Sequence, residues 1–300
     1  MFLAGVVLYC YMLVLWVNAY ILSLAALGAS YYYRHIYAAL VPLGCLLGLR
    51  SPAAKHLFRV LVSKGRVGKA MVVALGEVGA PCTYELVFPH FMFCDPWVTH
   101  DIPSTMHIAD RLLMDKTFHK VVCPWVTPIL NGASSLPLTG GTIRRCLALK
   151  RAFGLFPGGF VEAAGITATR EVLYAGTLGY HLVQARQARA RMSVMLVYDS
   201  NPANVNIESF ASVRLFLARR GMPLVMPDPV HFLRWVLWPS SSPVFVRRVE
   251  VDVERTDSDA LAVLLLRTYK EDAAMLLRDH GVALRIPEVH FRDAGRRPLR

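Results

Sequence analysis

A central sheet flanked by helices, an α/β domain behind an N-terminal hydrophobic helical membrane anchor, is the architecture this sequence predicts, and three observations predict it. Its 300 residues are 55% hydrophobic and only 18% charged, more apolar than a typical soluble domain. The excess sits at the front, where no charged side chain occurs from Met1 to Tyr33. From about residue 70 the chain alternates short apolar runs with longer helical patterns, as layered α/β folds do. The division is residues 1–50 as anchor and residues 51–300 as the α/β domain.

As a helix, the uncharged front would be about 50 Å long against a hydrocarbon core of about 30 Å, enough for one span. A second apolar stretch, Ile36 to Leu49, follows Arg34 and His35. The segment is therefore either a helical hairpin with residues 31–34 at one interface, or a single span followed by an interfacial segment. A cleaved secretory signal fits poorly, because the run far exceeds the usual apolar region and lacks a basic start. Arg34, Arg50, Lys55, Arg59, Lys64, Arg66 and Lys69 all precede the first acidic residue, Glu77. That asymmetry puts the main domain on the cytoplasmic side.

Strands are expected at Met71 to Leu75, Tyr84 to Phe88, Lys120 to Cys123, Gly154 to Phe156, Ser193 to Tyr198 and Val244 to Val253. The last ends in alternating Val-Glu-Val-Asp-Val, which suits an edge strand with one wet face. Helices are expected to begin at Ser104 and Thr142, each a good N-cap. A long helix from about Ser258 to His280 should stop at Gly281. Its apolar stripe includes Leu261, Leu264, Leu265, Met275 and Leu276. The proline-rich segments 96–103, 124–137 and 239–243 read as loops, and His231 to Trp238 as either an interfacial stretch or a buried helix.

The net charge of +12 does not signal nucleic acid. Beyond residue 76 only a surplus of +5 remains, so much of the charge is juxtamembrane and suits anionic headgroups. The six cysteines, Cys10, Cys45, Cys82, Cys94, Cys123 and Cys146, contain no C-x-x-C pair and two fall in the apolar block. Neither a zinc site nor a disulfide framework is indicated.

Two motifs carry the chemistry. His90 follows the Tyr84 to Phe88 strand and Asp95 lies five positions on, a spacing that about 0.4 chance matches would produce, so its setting must carry it. Transferring an activated acyl group to a hydroxyl needs a base, and histidine with a carboxylate on its other nitrogen is the natural one near neutral pH. The second motif is Phe156-Pro157-Gly158-Gly159-Phe160-Val161-Glu162. Paired glycines after a strand let backbone N–H groups approach a ligand and serve as oxyanion donors, and Glu162 either orients the histidine or orders the loop. Arg144, Arg145, Lys150 and Arg151 offer cations for phosphates or form a solvated helix face. No Gly-x-Ser-x-Gly elbow occurs, which disfavours a serine hydrolase.

The apolar hairpin, the Pro89-His90 pair after a strand and Pro157-Gly158-Gly159-x-x-Glu162 together resemble the diacylglycerol and monoacylglycerol acyltransferases of the membrane-hairpin type, phytyl ester synthases included. Tyr180 to Asn201 and Tyr269 to Pro287 resemble that family's helix–strand unit and closing helix. Its signature is His-Pro-His-Gly, whereas this chain reads Phe88-Pro89-His90-Phe91. The His90-x-x-x-x-Asp95 spacing matches the wider glycerolipid acyltransferases. The resemblance implies acyl-CoA-dependent esterification of a diacylglycerol or monoacylglycerol, giving triacylglycerol or diacylglycerol. His90, Asp95 and Glu162 would be catalytic, Pro157, Gly158 and Gly159 would form the oxyanion and substrate site, and Arg144 and Arg145 would meet the phosphates of acyl-CoA. It further implies a glycerolipid acyltransferase-like sheet, no metal or cofactor beyond acyl-CoA as co-substrate, membrane lipids as partners, and residence in the endoplasmic reticulum membrane or on lipid droplets. A lysophospholipid or long-chain alcohol acyltransferase, and an inactive lipid-binding membrane protein, are the alternatives.

Overall fold

The computed structural model describes residues 72–76, 82–89, 111–115, 134–198, 205–220 and 243–290, with isolated residues at 226, 228 and 230. The segment 1–50, the Lys120 to Cys123 strand, the helix expected at Ser104 and the His231 to Trp238 stretch lie outside them. Among the described residues, no helix is long and apolar enough to cross a membrane.

Seven strands form the main sheet: β1 (Val72–Ala74), β2 (Tyr84–Phe88), β3 (Arg111–Asp115), β4 (Ser134–Leu138), β5 (Phe153–Leu155), β7 (Met192–Tyr198) and β8 (Val244–Val251), in the order β1-β8-β7-β2-β5-β3-β4. The five strands from β7 to β4 are mutually parallel, and β8 pairs antiparallel with β7. Parallel neighbours require crossovers. The α-helices among the described residues are α1 (Gly140–Ala148), α2 (Gly159–Gly165), α3 (Leu178–Gln187), α4 (Ala211–Arg219) and α5 (Ser258–His280). A second sheet pairs β6 (Val172–Tyr174) in parallel with β9 (Glu288–His290). This is the α/β architecture expected from the alternating pattern.

Alternation along the central strands decides which side chains meet the helices. Tyr84, Leu86 and Phe88 of β2, Met192, Val194, Leu196 and Tyr198 of β7, and Phe245 and Val251 of β8 join one core with Leu178 and Leu182 of α3 and Leu261, Leu265, Tyr269 and Leu276 of α5. Every residue of β2 and of β7 is buried, as both faces of a central parallel strand should be. The off-phase positions include a buried ion pair. Arg248 Nε lies 2.7 Å from Glu85 Oε1, with side chains 1% and 2% exposed, and Ser193 Oγ donates to the same oxygen at 3.2 Å. Arg248 thus reaches across β7 to β2 and links three strands.

The core face carries polar contacts as well. The Tyr84 hydroxyl bonds His181 Nδ1 on α3. Burial holds the His181 imidazole neutral, its pKa lowered to about 3. Asp272 of α5 accepts the Tyr198 hydroxyl and binds Arg247 of β8 with two hydrogen bonds, at 2.5 and 2.6 Å.

Helix α5 spans the expected residues. Asp257 caps its start by accepting the Ala260 N–H at 2.7 Å, and Gly281 ends it at φ 66°. Three expectations need correction. Helix α1 is capped by Thr139, which accepts the Thr142 N–H at 3.0 Å, so Thr142 sits in its first turn. Residues 134–137, read as loop, belong to β4. Strand β8 ends at Val251, and β1 pairs only with Val244 to Val246, so the alternating end behaves as an edge although β8 is second in the sheet.

Candidate functional site

The loop after β5 is built around the fit between two of its own residues. A Cβ on Gly158 would lie 1.8 Å from Glu162 Cδ and 2.2 Å from Glu162 Oε2, so only glycine leaves space for that carboxyl group. Gly159 adopts φ 47°, in the left-handed region that side chains resist. Its N–H donates to the Phe156 carbonyl at 3.2 Å, closing the turn. Pro157 is buried, and its carbonyl accepts the Thr177 hydroxyl at 3.3 Å.

Glu162 lies in the first turn of α2 and is fully buried. Its Oε1 accepts the backbone N–H of Tyr174, on β6, at 2.6 Å. This contact orders the loop that carries Glu162. The far end of α2 is held as firmly. Asn206 Nδ2 donates to the carbonyls of Ala163 and Ile166 at 2.7 and 2.9 Å, and Arg214 Nε to that of Ala164 at 3.2 Å. These are the C-terminal carbonyls that a short helix leaves without internal partners. Arg214 is fully buried on α4, donates also to the Ser209 carbonyl at 2.5 Å, and keeps Nη2 without a hydrogen-bond partner among the described residues. Burial makes its proton easier to lose than usual, while Glu208 opposes that shift.

Asn206 and Arg214 were not singled out from sequence. A buried arginine among Val213, Leu215 and Phe216 has no distinguishing pattern, and Asn206 acts on carbonyls 43 and 40 residues away. Packing joins the same pieces, since Phe160, Val161 and Ala164 of α2 meet Tyr174, Ala218 and Leu215.

His90 and Asp95 lie outside the described residues; the last one before them is Pro89, which is buried. Strand β2 pairs in parallel with β5, with Leu86 opposite Leu155. Two positions further along, Phe88 and Pro157 leave the sheet at the same end, on neighbouring strands about 5 Å apart. Arg144 and Arg145 are exposed on α1, the helix that follows β4. Lys150 and Arg151 are exposed just before β5, at the opposite end of that strand from Pro157.

No family model matches the chain, and no curated protein matches it. Among solved structures it is similar to the 1-acyl-sn-glycerophosphate acyltransferase PlsC from Thermotoga maritima, at 13% identity over 85% of this chain and 96% of that one, with a TM-score of 0.42. At so loose an overlap the architecture rests on this chain's own strands and their order.

Proposed function

We propose that this chain is a membrane-bound O-acyltransferase that transfers a fatty acyl group from acyl-CoA to the hydroxyl of a neutral glycerolipid. The observation that carries the reading is the side-by-side exit of two motif loops, one leading to His90 and one carrying Pro157-Gly158-Gly159-x-x-Glu162, from neighbouring parallel strands. In α/β sheets the C-terminal ends of the strands are where reacting groups gather. His90 is two residues beyond Phe88, so chain length alone tethers its Cα within roughly 7 Å of that strand end. Asp95, five residues further on, is tethered far less tightly.

In this reading His90 takes the hydroxyl proton as the acceptor oxygen attacks the thioester carbonyl. A C–O bond forms, the carbonyl becomes an oxyanion, and collapse expels the coenzyme A thiolate, which recovers the proton from the imidazolium. Backbone N–H groups around Gly158 and Gly159 are the candidate donors to the oxyanion. Asp95 orients His90, while Glu162 keeps the glycine loop in place through Tyr174. Arg144 and Arg145 lie on the helix that starts at the same end of the sheet and meet the phosphates of acyl-CoA. The sequence resemblance favours diacylglycerol or monoacylglycerol as acceptor and the endoplasmic reticulum membrane as location, with residues 1–50 as anchor.

The test is product analysis. Membranes containing the chain, given labelled oleoyl-CoA and, separately, diacylglycerol, monoacylglycerol, lysophosphatidate or a long-chain alcohol, should form ester with one of the first two. Ester from lysophosphatidate or the alcohol alone would reassign the acceptor, and no ester from any of them would refute the reading.

A further inference from the structure

Helix α4 has two unlike faces. Arg214 and Ala218 are fully buried, and Leu215 and Ala218 pack on α2. The opposite face carries Val213 and Phe216, which are 48% and 53% exposed, and Phe210, 63% exposed, precedes the helix as its cap at φ 61°. The spacing of three residues puts Val213 and Phe216 on one side of the helix. Other exposed large apolar residues, such as Val263 and Leu277 on α5, stand singly, as they do on any protein surface. Two on one helix face, with a third at its cap, form a cluster that suits a partner surface.

The charge next to this face indicates which partner. Arg219 and Arg220 close the helix and are exposed, and no acidic residue occurs between Ser209 and Arg220. The nearest, Glu208, is occupied by the backbone N–H and hydroxyl of Thr169, at 3.1 and 3.0 Å. The Arg220 guanidinium lies over the Phe216 ring, 3.4 Å from its centroid. Aromatic bodies on one side with arginines at their margin are what a helix lying in the headgroup plane of an anionic bilayer presents.

We infer that α4 docks on an anionic membrane surface, with Phe210, Val213 and Phe216 entering the headgroup–acyl boundary and Arg219 and Arg220 meeting lipid phosphates. The uncharged run from Met1 to Tyr33 would keep such a surface within reach. Because α2 packs on the inner face of α4, docking sets the Gly158-Gly159 loop over the bilayer. The inference does not depend on the acyl-transfer reading, and its test needs no activity.

The full chain is reconstituted in phosphatidylcholine vesicles with and without phosphatidylglycerol, carrying benzoylphenylalanine in place of Phe216 or Val213, or in place of Val263 as a control. After illumination, the first two positions should give several-fold more lipid adduct than the control, and more with phosphatidylglycerol present. Arg219→Glu with Arg220→Glu should remove that dependence on phosphatidylglycerol. Equal lipid adduct at all three positions would overturn the inference. So would adducts that join positions 216 and 213 mainly to another segment of the same chain or to a second copy.

Discussion

The Glu162 carboxylate accepts the backbone N–H of Tyr174 at 2.6 Å from a fully buried position. One side chain thereby ties the helix after β5 to the small second sheet. Removing the acceptor leaves a buried N–H unpaired, so Glu162→Ala should cost about 1–3 kcal/mol. Glu162→Gln retains a carbonyl oxygen for Tyr174 and should cost less. Denaturant unfolding of the purified chain checks the order, and equal losses would show that the contact is not what holds the loop.

The two glycines of the motif should fail differently. Gly158→Ala drives a methyl group into the Glu162 side chain and must displace it, costing about 1–3 kcal/mol as overpacking does. Gly159→Ala meets the backbone penalty of a left-handed conformation at φ 47°, about 1 kcal/mol. If Gly158 is reserved for space, Glu162→Ala should relieve much of the Gly158→Ala penalty in a double-mutant cycle. Strict additivity of the two changes would contradict that packing.

Stability should fall in mild acid through His181. Its folded pKa is lowered to about 3 by burial, whereas the unfolded chain titrates near 6.5. Between these values the unfolded state binds more protons, so stability present above about pH 6.5 is lost as pH falls toward 3. His181→Phe should lower stability at neutral pH, by stranding the Tyr84 hydroxyl, yet flatten the loss between pH 7 and pH 5. The same slope in the variant and the parent would exclude His181 as the source.

Asp272 answers both Arg247 and Tyr198 from a side chain 4% exposed. Asp272→Ala leaves a half-buried cation and a buried hydroxyl without their acceptor and should cost about 3 kcal/mol or more. Loss of under about 1 kcal/mol in denaturant titration, the level of a surface pair, would show that the network is dispensable.

The elements legible in the sequence are those whose neighbours leave a local mark. Tyr84 to Phe88 is a short β-rich run ended by Pro89, and α5 has Asp257 and Gly281 at its ends. Strand β4 escaped because Pro137 argues against a strand, yet β4 lies at the sheet edge, where a missing N–H is tolerated. Strand β3 reads Arg-Leu-Leu-Met-Asp, residues of helical preference that parallel partners on both sides hold extended. Strands β6 and β9 are three residues each and find one another across more than 110 positions. Helix α4 was hidden by its outward apolar face and inward arginine, the reverse of the usual pattern. Of the candidate site, the glycine motif was legible as a turn beside a reactive strand end. Its support was not, since the side chains of Asn206 and Arg214 bind carbonyls 40 to 50 residues away and Tyr174 contributes its backbone N–H. His90 and Asp95 lie outside the described residues; their pairing rests on spacing, and the register of β2 with β5 relates the end of the His90 strand to the glycine loop.

The most direct test of the central claim is acyl transfer by His90→Ala. Both forms, matched for membrane content, are given labelled oleoyl-CoA with diacylglycerol or monoacylglycerol. The account predicts a fall of roughly 10²-fold or more, the usual share of general base catalysis, with insertion and expression unchanged. Equal ester formation by His90→Ala and the parent chain would contradict it.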